Sequence, residues 1–359
     1  MMARRQAGPR RTVFPSFDDL NSHFIYDLFL SRHCNKDNPF TSDEWESFYG
    51  SAVEEGLAPF TYLKLRESAF FPQHLLLDAR QRYEDALVYK DFAVCCLREL
   101  GDKLCKNGRV VVCKGLALCE TIYREPLIRP MGDVDLYLPD GTIDEVRKVL
   151  IDDGFTPYES YRNVLRRGEL VLDLHEDLWA ARRVELRKAV VPEIEGSFMP
   201  STLAPGFFVP GPHLLAAHTA FHCMKHVFSR KIWCLDLMML YKEGYINDGM
   251  VSNNAVVLFA LRHLYNEGLI ENVPAFDKTL SRVKSRLVQT VLRSKKKTGL
   301  GEIALALCCS SWRETFMYLA SSLVPKKHIL KEMYGDLPYW KLLVRRFFKL
   351  ISYMFGRSA

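Results

Sequence analysis

Several familiar signatures are missing from the 359 residues: no Cys-x-x-Cys pair, no Gly-x-x-x-x-Gly-Lys loop, no Gly-x-Gly-x-x-Gly run and no Gly-x-Ser-x-Gly elbow. Their absence excludes a dithiol redox centre or paired-thiolate zinc site, a P-loop or dinucleotide fingerprint, and the hydrolase nucleophile turn. No stretch reaches the roughly 18 uncharged apolar residues that a spanning helix needs. No repeat or low-complexity tract is present. Arg4, Arg5, Arg10 and Arg11 crowd the N-terminus, but no apolar segment follows, which argues against a secretory leader. Residues 1–14 read as a disordered basic arm. The ten cysteines are scattered, mostly in apolar runs, as expected of reduced thiols in a cytoplasmic protein.

What is present is an ordinary globular composition, 48% apolar and 26% charged. That is enough apolar material for a sizeable core. The net charge of +6 permits an anionic partner without requiring one.

Periodicity divides the chain. Residues 15–106 read as helical, with helical spacing over Phe17 to Leu30, Ser42 to Glu55 and His74 to Cys105. Ser42 followed by Glu44 suits a helix start. From residue 107 to 191 the pattern becomes β-α-β-α-β-β. Arg109 to Cys113 is a β-branched strand, Lys114-Gly115 ends it, and Leu116 to Arg124 is helical. Asp133 to Leu138 alternates acidic and apolar residues as a second strand. Thr142 with Glu145 forms a capping box on the helix to Asp153, and Gly154 suits its end. Tyr161 to Arg166 and Leu170 to His175 read as a hairpin around Arg167-Gly168-Glu169. Residues 192–212, rich in Pro and Gly, read as a boundary loop. Residues 213–359 read as a helical domain, with helices over His213 to Val227, Ile232 to Tyr241, Ala255 to Glu267, Phe276 to Arg293, Glu302 to Leu323 and Trp340 to Phe355.

The chemistry concentrates in the middle unit. Residues two apart on a strand share a face, so Asp133 and Asp135 project together. Two such carboxylates repel unless a cation lies between them. Mg²⁺ suits them, or Mn²⁺. Asp173, in the apolar frame Leu172-Asp173-Leu174, is a third acid that a buried strand tolerates only if it is paired or ligating. A structural pairing with Arg162 or Arg166 is the alternative. His175 shares its face. The expected metal ligands and catalytic residues are therefore Asp133, Asp135 and Asp173. Lys114, Gly115 and Arg129 are the expected binders of the nucleotide phosphates, with Arg124 nearby. His218, His222 and His226 recur along one helix face as a structural or substrate-facing stripe, with zinc the less favoured reading. Asp236, set among apolar residues, reads as a buried, paired acid.

The run from Lys114-Gly115 through Tyr123, Pro126 and Arg129 to Asp133-Val134-Asp135 resembles the signature of the uncharacterised nucleotidyltransferase family, within the polymerase-beta-like superfamily. Leu172-Asp173-Leu174-His175, the His218 to His226 segment and Trp233-Cys-Leu-Asp236 are similar to its downstream parts. The resemblance covers about residues 15 to 245. It departs in having Lys-Gly where the superfamily has Gly-Ser, in the 18 residues between Gly115 and Asp133, and in Glu176, where an aromatic is frequent. It implies an α+β fold, a small polymerase-beta-like mixed sheet flanked by N-terminal and C-terminal helical regions. It also implies Mg²⁺-dependent transfer of a nucleotide from an NTP to an acceptor, which would be a small molecule, a protein or RNA. His175, His218, His222 and Lys225 are then candidates for the substrate side.

Two other functions fit the same sequence: a catalytically silent interaction module that keeps the fold, and a toxin-like enzyme modifying RNA. The helix from Trp340 places Lys341, Arg345 and Lys349 on one stripe. Packing onto the helical domain is the favoured reading of that helix over contact with an anionic membrane.

Overall fold

A computed structural model describes residues 41–68, 70–106, 108–158, 163–179, 184, 186–187, 190, 198–273, 281–293 and 300–354, without the side chains of 328, 332, 333 and 349–354. The basic arm and the expected helix Phe17 to Leu30 lie outside the described residues, as do Tyr161 and Arg162.

Helix α1 (Ser42–Glu54) starts at Ser42, as expected. Thr41 is the cap, and Glu44, three residues on, closes the capping box. A short helix, α2 (Ala58–Leu65), follows with Pro59 in its first turn, where the missing N–H costs nothing. Helix α3 (Gln73–Leu104) is 32 residues long. Leu75, Ala79, Ala86, Ala93, Leu97, Leu100 and Leu104 recur at helical spacing and form its buried stripe.

The sheet contains β1 (Val111–Cys113), β2 (Val134–Tyr137), β3 (Thr156–Pro157), β4 (Val164–Arg167), β5 (Leu170–His175), β6 (Phe198–Pro200) and β7 (Phe208–Pro210). Their order is β3-β4-β5-β2-β1-β7-β6, with β2/β5 and β1/β7 parallel and the other pairs antiparallel. The Pro/Gly-rich stretch is thus more than a loop, since β6 and β7 extend the sheet. Period-two patterning on β5 buries Leu170, Leu172 and Leu174 and leaves Val171, Asp173 and His175 on the other face. Gly168, at φ 59°, makes the turn between β4 and β5.

Helix α4 (Lys114–Thr121) leaves β1 directly. Helix α5 (Ile143–Asp152) carries the expected Thr142/Glu145 capping box, with Gly154 at φ 85° beyond its end. The C-terminal helices are α6 (Pro212–Lys225), α7 (Lys231–Lys242), α8 (Asp248–Asn253), α9 (Ala255–Asn266), α10 (Arg282–Arg293), α11 (Leu300–Leu307), α12 (Trp312–Leu323), α13 (Lys327–Tyr334) and α14 (Tyr339–Met354). The single helix expected over Glu302 to Leu323 is two, because Ser311 and Glu314 form a capping box that starts α12 afresh.

One apolar core runs from Leu57 and Leu97 through Val112, Leu136 and Leu172 to Leu237 and Tyr318. The sheet and the helices on both sides therefore share an interior. A smaller cluster around Trp45, Phe71 and Ala79 joins α1 to the start of α3.

Candidate active site

Parallel pairing of β2 with β5 sets Asp135 opposite Asp173 and Tyr137 opposite His175. Outward-facing residues on adjacent strands then converge, as the sequence pattern required. His175 Nε2 lies 2.8 Å from Asp135 Oδ1 and 3.1 Å from Asp173 Oδ2. One ligand atom from each of Asp135, Asp173 and His175 falls within a 4.8 Å group that could hold a metal ion. Asp133, just before β2, is exposed at the same strand end and is not one of that group. His175 thus joins two of the three expected acids in that group. Arg166 turns away to Glu169 at 3.2 Å, so His175 is the partner of Asp173.

Lys114 does not end its strand in solvent. Its backbone adopts φ 47°, uncommon for a side chain with a Cβ, and its ammonium donates to Asp135. Burial alone would raise the Asp135 carboxyl, but Lys114 and His175 more than offset it and hold the group at about 2. Burial would lower the His175 imidazole, yet its bonds to Asp135 and Asp173 bring it up to about 9. The Asp133 carboxyl is raised by desolvation within the cleft and by repulsion from Asp135 and Asp173. Asp135 and Asp173 with Lys114 and His175 thus form one charge-compensated group.

Lys114, Asp133 and Asp135 line a cleft of about 640 Å³, within the range of small-molecule and cofactor sites. Its floor is Lys114, Gly115 and the Pro130–Asp133 segment. Arg82, Asp85 and Tyr89 of α3 form one wall, and His218, His222 and Trp233 form the other. Two tyrosines of α3 tie that wall to the connection before β2. Tyr83 donates to the Pro126 carbonyl at 3.0 Å and Tyr89 to the Gly132 carbonyl at 3.1 Å. The turn after α1 holds the beginning of α7, where Lys231 N donates to Glu55 Oε2 at 2.6 Å.

Gly115 has no room for a side chain without adjustment, because a Cβ would stand 3.1 Å from both Arg129 Nη1 and Met131 Cβ. Arg129 itself is held in a buried fork. Its Nε donates to the two Asp236 oxygens at 2.9 and 3.0 Å, and its Nη2 donates at 2.9 Å. Tyr123 adds a bond to Asp236 at 2.7 Å. Asp236 is therefore the buried, paired acid expected. Arg129 lines the cleft with all three nitrogens engaged, since its Nη1 donates to the Pro130 carbonyl at 3.2 Å.

Two histidines of the stripe, His218 and His222, line the same cleft. His222 and His226 lie 4.6 Å apart between ring centroids, and Trp233 packs edge-on to His222 at 4.7 Å. Among the described residues, these histidines do not belong to a metal-ligand group. Lys225 is not a lining residue of the cleft. Glu176, at the family's aromatic position, accepts a bond from Ile143 N at 2.8 Å at the start of α5. The α3 wall went unread because nothing local to residues 82–89 marks contact with a turn some forty residues downstream. Its only signal is a pair of tyrosines on an otherwise small-residue stripe.

Paired acids on adjacent parallel strands, beside a Lys-Gly turn and a cleft, are the equipment of a nucleotidyltransferase. The family model described as "Uncharacterised nucleotidyltransferase" matches residues 41–267, more than half of the sequence, and the chain belongs to that family. No curated protein and no solved structure matches it. The family and the Asp–Asp–His group together support nucleotidyltransferase activity in general.

Proposed function

We propose that this chain transfers a nucleoside monophosphate from an NTP to an acceptor hydroxyl and releases pyrophosphate. The supporting observation is the convergence of Asp135, Asp173 and His175, with Asp133 and Asp135 lining the adjoining cleft. The donor chemistry fits a divalent cation. Carboxylate oxygens suit Mg²⁺, and the added imidazole also suits Mn²⁺. The charge balance agrees, since Lys114 and His175 neutralise acids that would otherwise repel one another. Asp133, Asp135 and Asp173 would hold the ions, with His175 completing or orienting the set. Bound there, they would supply charge neutralisation at the phosphates and a more acidic acceptor hydroxyl.

In the reaction, a bond forms between the acceptor oxygen and the α-phosphorus. The bond from that phosphorus to the pyrophosphate oxygen breaks. Asp173 takes the hydroxyl proton. Lys114 and the backbone at Gly115 steady the departing phosphates, Gly115 by allowing close approach. Arg129, fixed by Asp236 and the Pro130 carbonyl, adds positive charge to the lining beside the phosphates. His218, His222 and Trp233 form the side on which the acceptor or the base rests.

The test is pyrophosphate release from each of the four NTPs with Mg²⁺, with cell extract as the acceptor source, for wild type beside Asp133→Asn/Asp135→Asn. Release that falls at least about a thousandfold in the variant is the expected result. No release, with wild type and variant binding Mg·NTP equally weakly, overturns the proposal and leaves a silent module that keeps the fold.

A further inference from the structure

Eight Lys and Arg residues and only two Asp and Glu residues lie within residues 326–359, a net +6 equal to that of the whole chain. The preceding 325 residues therefore balance to zero. A charge concentrated at one end points to an anionic partner for that end. The family match stops at residue 267, and the cleft is lined by residues 53 to 236. Neither accounts for this segment.

Helix α14 fills much of it, and its two sides differ. Leu342 is fully buried on one side, and Arg346 donates to the Ser322 carbonyl at 2.9 Å, so that side is docked on the end of α12. Tyr339 adds a bond to the Pro325 carbonyl at 3.2 Å. This is the packing expected from the sequence. The opposite side of an ordinary docked helix is polar. Here Trp340, Val344, Phe347 and Phe348 recur at helical spacing and are 63%, 45%, 62% and 65% exposed. Leu323 and Val324, beside the docked Ser322, are 57% and 55% exposed and continue the apolar surface. Lys341 and Arg345 are exposed along its edge, and α14 carries no Asp or Glu.

We propose that α14 lies flat on an anionic lipid bilayer. Trp340, Phe347 and Phe348 enter the headgroup boundary, and Lys341 and Arg345 meet lipid phosphates. Exposed apolar residues in a contiguous group signal a covered surface. Large aromatics flanked by lysine and arginine are the composition that binds in the plane of a membrane interface. Each base near an anionic leaflet adds attraction, and no acid on α14 opposes it. Trp340 to Phe348 spans about 12 Å, long enough to lie on a membrane and far too short to cross one. No described helix is long and apolar enough to span. The docked side fixes the helix to the fold, so the surface is presented rather than buried.

The experiment is vesicle flotation of the full chain, with phosphatidylcholine alone and with about one third phosphatidylserine. Wild type floats at least tenfold more with the anionic vesicles, and the difference shrinks as salt rises. The variant Trp340→Ser/Phe347→Ser/Phe348→Ser changes only exposed positions. It keeps the wild-type unfolding temperature and loses anionic flotation at least tenfold. Lys341→Glu/Arg345→Glu loses it as well. Wild type that stays unbound, or a triple variant that floats as wild type does, overturns the proposal. So does binding of a single-stranded RNA oligonucleotide without vesicle binding, which would assign the basic segment to nucleic acid. A dimer that the triple variant abolishes, again without vesicle binding, would assign the face to a second copy.

Discussion

Asp135 is almost fully buried, ionised and bonded to two cations, whereas Asp133, two residues before it, stands exposed at the strand end. The two acids look equivalent in the sequence, and their environments separate them. Burial also shapes the histidines, and its effect has a measurable sign. Burial lowers His226 and His263 from 6.5 to about 4, and His218 to about 3. Unfolded, each would take a proton below pH 6.5 that the folded chain refuses. Their contribution to stability is therefore present above pH 6.5 and is lost as pH falls toward about 4. His175 has the opposite sign, with a contribution fully present below pH 6.5 and lost as pH rises through about 9. Three groups outweigh one on the acid side. The unfolding temperature should drop on going from about pH 7 to about pH 5, and His226→Gln should make that drop smaller. An equal drop in wild type and variant would show that the stripe does not titrate as described.

At the scale of elements, caps and close contacts decide where helices begin and how near they approach. Ser311 caps α12 by accepting from Glu314 N at 3.1 Å, so Ser311→Ala should cost about 1 kcal/mol, or about 2 °C in thermal unfolding. Gly301 in α11 passes so near α6 that a Cβ would sit 1.7 Å from the Lys225 carbonyl oxygen. Gly301→Ala should destabilise by about 3 kcal/mol or more in denaturant titration. These elements also show what the sequence could reveal. The Asp-x-Asp strand, the Leu-Asp-Leu-His strand, the Thr142 cap and the Gly168 turn were legible, because each rests on a period or on chemistry within a few residues. The Ser311 cap carried the same local signature and was overlooked inside a long apolar pattern. Strands β6 and β7 are hidden because their Pro and Gly residues read as punctuation, and only the pairing of β7 with β1 and of β6 with β7 makes them strands. The α3 wall depends on contact between distant segments, which no local period encodes.

For the whole molecule, the pair Arg129–Asp236 joins residues 107 apart and fastens the C-terminal helices to the floor of the cleft. Asp236→Asn leaves a buried guanidinium without its counter-charge. It should destabilise by about 3–5 kcal/mol and reduce pyrophosphate release with it. Unfolding in denaturant, compared with Asp236→Glu, measures this. A variant as stable as wild type would mean that water or another acid replaces the carboxylate. The cleft also has a history. Its walls are drawn from residue 53 through residue 236. A ribosome releases Asp133, Asp135 and Asp173 well before Trp233 and Asp236 emerge, while chains fold as their parts become available. The reactive acids thus spend the last part of synthesis without their far wall. The lining is complete only once Trp233 and Asp236 of α7 have been made, so this wall is the last part of the cleft to be added.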